Sequence, residues 1–421
     1  MIKQSLIIDA IVVIFIVLFL EFFSYTKIVV KSATMVSAAG ILLAAITFIA
    51  PFFRPGERKP LDSFVSFFIF SMIISSFMAL VYWDQSLMTS FTGYKFFYIY
   101  FLYFIFVIFE VSPARVERII MLFFFTTLVI FFIGYVTFPD PLFSYRSEER
   151  RNGITIFFYG HGFTFLGAFY FLGKFFEGKK IIHFVFFVLA AYCLFLLTQS
   201  RMNLLALAGG FFLMLLFSDL KKKYLFAVLI IIAGAIFYTT AGVFDGIKEA
   251  SRDQTQFYKE DIRVLAYNYF LTDFQGGVPT MIFGNGFPVA GSKLEFESIR
   301  GNLMGFWTAD VGLLGIYSYF GLLGVIAWLL FFYAAFKVKN TPNTIYLKAY
   351  FFALLTSAFF GYSIFDPGYM PATIMALYML RCEIINQQEN NLKSDDEDQL
   401  SANYTDLEDQ EPEQNIRYAS E

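Results

Sequence analysis

In the segment "LLTQSRMNLLALAGG", Leu196 to Gly210, one arginine stands between two apolar runs, with only Gln199 and Ser200 separating it from Thr198. A guanidinium is planar and always charged, and it grips a phosphate through two parallel hydrogen bonds, which an ammonium does not match. Half-buried, it needs an anion beside it. The apolar run 181–198 rises about 27 Å as a helix, so Arg201 is held near the level of lipid headgroups. Two readings follow: a ligand to an anionic substrate, or a snorkelling anchor to lipid phosphates. Other cations of the same type are Arg146, Arg150 and Arg151 in "RSEERRNG" and Arg263 in "EDIRVLAYNYF". The first three read equally as solvated loop residues. Carboxylates accompany them: Asp261 two positions before Arg263, Asp310 at the start of an apolar run, and Asp366 in "FDPGYM". His161 in "GHGFTFLG" and His183 are lone histidines inside apolar runs, each a hydrogen-bonded packing group or a proton carrier. No Cys/His cluster has metal-ligand spacing, and Cys193 and Cys382 cannot build a disulfide framework.

The elements that must position these groups are membrane helices. The chain is 58% hydrophobic and 15% charged, with 60 Phe among 421 residues, where soluble domains are about 45–50% apolar and about 25% charged. Apolar runs long enough to cross about 30 Å of hydrocarbon recur along most of its length. The expected fold is all-α: a polytopic membrane protein of about twelve transmembrane helices, at roughly 5–23, 33–53, 61–82, 91–109, 119–138, 156–173, 181–198, 202–218, 224–241, 309–335, 349–365 and 369–384. The first run, Leu6 to Leu20, has no small-residue cleavage pattern after it and reads as a retained helix. Fourteen Lys and Arg residues fall on alternate short loops: Arg54, Arg58, Lys59, Arg115, Arg118, Lys174, Lys179, Lys180, Lys221, Lys222, Lys223, Lys337, Lys339 and Lys348. That side is expected to be cytoplasmic, with both termini inside. Arg146, Arg151, Arg201 and Arg263 then stand on the outer side, against the usual bias.

Two regions depart from the helical pattern. Residues 1–385 form the transmembrane domain, and 386–421 form an acidic tail with 11 acidic and 2 basic residues, hence −9, leaving +6 on the rest of a chain of net −3. Such a tail is expected to be disordered, serving solubility or docking a partner. The one large loop, 242–308, is expected to be extracytoplasmic. Within it Ile262, Leu265, Ala266, Tyr269 and Phe270 fall at helical spacing, giving a short amphipathic helix on the bundle or the membrane surface. Next comes "GGVPTMIFGNGFPVAGSK". Its "GFPVAGSK" has P-loop spacing but ends Ser-Lys where that motif needs Lys-Ser/Thr, and no strand leads into it. The glycines read as shaping a loop against the bundle, with backbone N–H groups on an anion as the other option.

Three segments resemble the O-antigen polymerase and O-antigen ligase family of bacterial membrane glycosyltransferases: "LLTQSRMNLLALAGGFFLMLL", a Ser-Arg hairpin before a small-residue-rich helix; the large loop with Arg263 ahead of "IFGNGF"; and "DVGLLGIYSYFGLLGVIAWLL", like the helix that re-enters the membrane after that loop. The resemblance implies an enzyme of the bacterial cytoplasmic membrane that needs no metal or other cofactor. Its donor and acceptor are glycans on polyprenyl pyrophosphate at the outer leaflet. Its partners are that lipid-linked glycan, membrane lipid, a chain-length regulator and a flippase, with no nucleic acid. Arg201, Arg263, Arg146 and Arg151 are then the pyrophosphate ligands, stabilising charge that develops on the leaving group. The acceptor hydroxyl needs a base. Ligases of the family carry a histidine near the end of the large loop, and "GNLMGFWTADVGLLG" has none; Asp310 stands there as the catalytic candidate, with His161 and Asp261 as further acceptor or base candidates. The missing histidine favours a polymerase of surface polysaccharide repeats over a ligase acting on lipid A core. A twelve-helix transporter or flippase of lipid-linked glycan is the reading from another class.

Overall fold

The computed structural model describes residues 2–20, 32–49, 60–137, 150–151, 154–155, 160–198, 201–218, 223–225, 227–228, 232, 262–359 and 366–408. The first helices are α1 (Ile2–Phe19), α2 (Ser32–Ile49), α3 (Pro60–Trp83), α4 (Leu87–Gly93), α5 (Phe101–Ile108) and α6 (Pro113–Val136). A pair of two-residue strands, β1 (Arg150–Arg151) and β2 (Ile154–Thr155), precedes α7 (His161–Gly178), α8 (Ile181–Thr198) and α9 (Arg201–Phe217). The large loop contains α10 (Ile262–Leu271), α11 (Val278–Phe283) and α12 (Lys293–Leu303), and α13 (Leu313–Lys337), α14 (Pro342–Ala358) and α15 (Met370–Glu408) complete the chain.

Four helices are long and apolar enough to cross a membrane: Leu61–Trp83, Leu87–Ile108, Pro113–Gly134 and Leu313–Lys337. Shorter apolar helices occupy Ile7–Phe19, Met35–Phe48, Ile181–Leu194 and Asn203–Phe217. Among the described residues the protein is therefore an all-helical membrane protein apart from the β1–β2 pair. The expected count of about twelve spans is not reached among the described residues. Span 224–241 lies mostly outside them. Three other expected spans coincide with helices of mixed polarity: α7 ends in Lys174 and Glu177, α14 carries Lys348, and α15 runs from an apolar half into acidic sequence. The acidic stretch expected to be disordered continues as helix as far as Glu408. Its Glu, Gln, Leu and Lys content is compatible with helix despite its polarity.

The core is aromatic, and α7 runs through it. Every residue from His161 to Phe169 is buried, the mark of a helix enclosed on all sides. Gly167 sits against the Phe124 ring on α6, and Gly210 of α9 sits against Phe169 and the Ala349 carbonyl of α14. Small residues thus let α6, α9 and α14 close on α7. The fourth span is not uniform: the chain tightens to a 3₁₀ helix over Tyr94–Tyr100, where Tyr94 shares a 2.7 Å hydrogen bond with Ser75 of α3.

Helix α13 is broken. Gly321 has φ +64° and ψ −164°, and a Cβ there would collide with the Gly284 nitrogen and the Ile282 carbonyl. The segment "IFGNGF" crosses α13 at this break. The carbonyls of Ser318 and Tyr319, just before the break, accept from the N–H groups of Asn285 (3.2 Å) and Gly286 (3.0 Å). The Asn285 amide adds a second bond to Ser318 O at 3.0 Å. Irregular backbone inside a membrane bundle requires internal partners of this kind.

Candidate functional site

Helix register brings Arg201 and Asp310 to one level of the bundle. Helices α9 and α14 pack side by side, with Gly210 against Ala349. Arg201 lies nine positions before Gly210 and Ala358 nine after Ala349, about 13–14 Å along each axis. A Cβ on Gly312 would collide with the Ala358 carbonyl, so the start of α13 rests on the end of α14. Asp310 ends a 3₁₀ turn, Thr308–Asp310, just before Gly312, and is exposed. Thr308 anchors that turn by a 2.8 Å hydroxyl pair with Tyr319. Arg201 is the first residue of α9 rather than a loop residue.

Beside Arg201 lies a polar cluster. His161 is the first residue of α7, and its ring is buried. It therefore stands at the helix start, just after the Gly160 N-cap, instead of lying within a span, as the 156–173 boundary implied. The imidazole stacks on Tyr369 at 5.9 Å and 20°, with Phe131 also 5.9 Å away. The Gly162 N–H donates to Gly368 O at 3.0 Å, tying α7 to the "FDPGYM" turn. The Tyr369 hydroxyl donates to Asn203 Oδ1 at 3.4 Å, and Asn203 is two residues past Arg201. In the same turn Asp366 is half-buried and accepts the Gly368 N–H at 2.7 Å. Burial pushes its carboxyl up to about 6, against the opposing pull of that N–H. A carboxyl tuned into this range can hold or release a proton near neutral pH.

Arg263 is half-buried in the first turn of α10. Its neighbour Ile262 packs against Gly305, five residues before Asp310, so the start of α10 adjoins the segment leading to Asp310. The expected amphipathic face is only partly right. Ala266, Tyr269 and Phe270 are buried, whereas Ile262 and Leu265 are exposed. Arg151, with Arg150, lies on β1, paired in register with Ile154. Arg146 and Asp261 lie outside the described residues.

The glycine-rich segment is committed to packing. The N–H of Gly284 donates to Thr280 O at 2.7 Å, and those of Asn285 and Gly286 serve the broken α13, so these three donors are already occupied. The P-loop-like "AGSK" starts α12, where Ser292 accepts the Glu295 N–H and Glu295 accepts the Gly291 N–H. That helix start satisfies itself. Sequence reasoning passed over Asn285, which also accepts from Trp83 Nε1 at 2.9 Å and from the Gly276 N–H at 3.2 Å. It also left Tyr369 and Asn203 without a role. The Asp-Pro-Gly turn signal before Tyr369 and the proximity of Asn203 to Arg201 were the available signs. No family model, curated protein or solved structure matches this chain.

Proposed function

We propose that the protein polymerises polyprenyl-pyrophosphate-linked oligosaccharide repeats into surface polysaccharide, with the Arg201 end of the bundle facing the outer side of the bacterial cytoplasmic membrane. The observation that carries this reading is the meeting, at one end of an apolar bundle, of the α9 start bearing Arg201, the Asp310 turn and the His161–Tyr369–Asp366 cluster. Arg201 binds the pyrophosphate, with Arg263 reaching it from the start of α10. Asp366 takes the proton from the acceptor sugar hydroxyl, because a carboxyl near 6 is ionised at pH 7 yet basic enough to accept. Asp310, exposed at the same end of the bundle, orients the acceptor. The hydroxyl oxygen bonds to the anomeric carbon, the bond from that carbon to the pyrophosphate oxygen breaks, and the lipid pyrophosphate leaves with the electron pair. Positioned guanidinium groups stabilise the charge that develops there.

The test is complementation of a deletion strain, reading glycan length on a gel. The Arg201→Ala protein is expected in the membrane at normal abundance while only single-repeat glycan is made. Full-length polymer from Arg201→Ala and from Arg263→Ala would overturn the reading. Lipid-linked repeats that cross vesicles without lengthening would identify a flippase instead.

A further inference from the structure

Helix α12 is apolar on two opposite faces. Leu294 and Gly301 are buried and form its inner face. The inner side is anchored by Tyr269, whose hydroxyl donates to Glu297 O at 2.9 Å, and the first turn is anchored by Lys293, which pairs with Asp84 at the end of α3. Half a turn away, Phe296, Ile299 and Leu303 are 67%, 44% and 84% exposed. At about 100° per residue they fall within a wedge of about 60°, directly opposite Leu294. Lys293 and Arg300 flank that wedge on one side, and Glu295 and Asn302 on the other. Met304 and Trp307 continue it past the helix end, also exposed.

A soluble loop does not present such a stripe without something to cover it. What covers it is indicated by its position. The α3 surface leading to Asp84 exposes Phe70, Phe77, Leu80 and Val81, the outward residues of a helix long and apolar enough to span a membrane. The Lys293–Asp84 pair places the start of α12 at the rim of this surface, so the stripe continues it. Bulky apolar residues with a tryptophan, bordered by cations, match the boundary between headgroups and acyl chains.

We propose that α12 is an interfacial helix whose Phe296–Ile299–Leu303 stripe is inserted among the lipid acyl chains at the edge of the bilayer, holding the large loop at headgroup level. Its inner face grips α10 through Tyr269, so the insertion also sets the depth of the α10 start. The inference is independent of which reaction the protein catalyses.

The test uses the full-length protein in phosphatidylcholine nanodiscs, with Cys193 and Cys382 replaced by alanine. Nitroxide labels are placed singly through Phe296→Cys, Ile299→Cys, Leu303→Cys and, as the lateral control, Glu295→Cys. Collision rates with oxygen, which partitions into lipid, are compared with those of a water-soluble nickel chelate. The ratio of oxygen to nickel accessibility is expected to be several-fold higher at the three stripe positions than at Glu295. Stripe labels that collide preferentially with nickel, or that are shielded from both reagents, overturn the proposal; the second outcome identifies a protein partner on the stripe. As a second measurement, in a variant with Trp83→Phe and Trp328→Phe that leaves Trp307 as its one tryptophan, lipid brominated high on its acyl chains should quench Trp307 emission, and unchanged emission counts against insertion.

Discussion

Two carboxylates at opposite ends of the helix bundle, Asp62 and Asp366, are held in different ways. At the end remote from Arg201, carboxylates meet cations. Asp62 on α3 accepts from Arg381 of α15 at 2.8 and 3.3 Å and from the Tyr103 hydroxyl at 2.7 Å, and both ion-pair partners are nearly buried. Asp9 of α1 takes Arg115 of α6 at 2.7 Å. At the other end, Asp366 is held by the backbone N–H of Gly368. A cation beside a carboxylate fixes its ionisation and clamps two helices; a neutral donor leaves the carboxylate able to exchange a proton. Asp62 is therefore suited to holding α3, α5 and α15 together, and Asp366 to exchanging a proton.

The comparison can be broken first at Asp366. Asp366→Asn keeps the acceptor for the Gly368 N–H but cannot take a proton. Polymer formation in membranes should fall about 10²–10⁴-fold, the usual contribution of a general base, with protein abundance unchanged. The wild-type rate should be level above pH 7 and decline as pH falls through about 6, where burial places this carboxyl, because protonation removes the base. A flat profile down to pH 5 would remove Asp366 from the mechanism. At the opposite end the expected loss is in stability. Arg381→Ala leaves a buried carboxylate without its cation and should cost about 3–5 kcal/mol, read as a lower unfolding temperature in detergent, whereas Arg381→Met with Asp62→Leu should recover most of it. The smallest effect is expected at Asn203→Ala. The Tyr369–Asn203 bond is long, so stability should change by about 1 kcal/mol or less, and the sharper readout is reduced polymer length as the Tyr369–His161 stack loses its tie to the start of α9.

The hairpin around Arg201 was legible because two apolar runs leave it almost no room; whatever the details, α9 had to begin there. The same reasoning placed Asp310 just ahead of α13. The faces of the loop helices were less legible. Periodicity selects one apolar stripe but not which of its residues meet the bundle, and so Ile262 and Leu265 lie exposed although they share the pattern of Tyr269 and Phe270. The break at Gly321 was not legible at all. "YFGLLG" reads as ordinary small-residue helix, and its positive φ is fixed by a segment 35 or more positions earlier in the chain. The acidic stretch showed its solubility in its composition but not its helix, because disorder and exposed helix draw on the same residue types.

The crossing of "IFGNGF" over the broken α13 has a consequence for how this protein can change over generations. The carbonyls of Ser318 and Tyr319 are satisfied only by that segment; a methyl group on Gly321 would collide with the Gly284 nitrogen, and one on Gly284 with the Tyr319 carbonyl. The large loop is therefore not an exchangeable cassette. A loop from another chain grafted between its ends would remove the donors that these two carbonyls use, and a side chain at either glycine would meet backbone, which no change at the other glycine relieves. Variation within the loop is expected in the helices on either side of this crossing, while the crossing itself is inherited as one unit with the helix it mends.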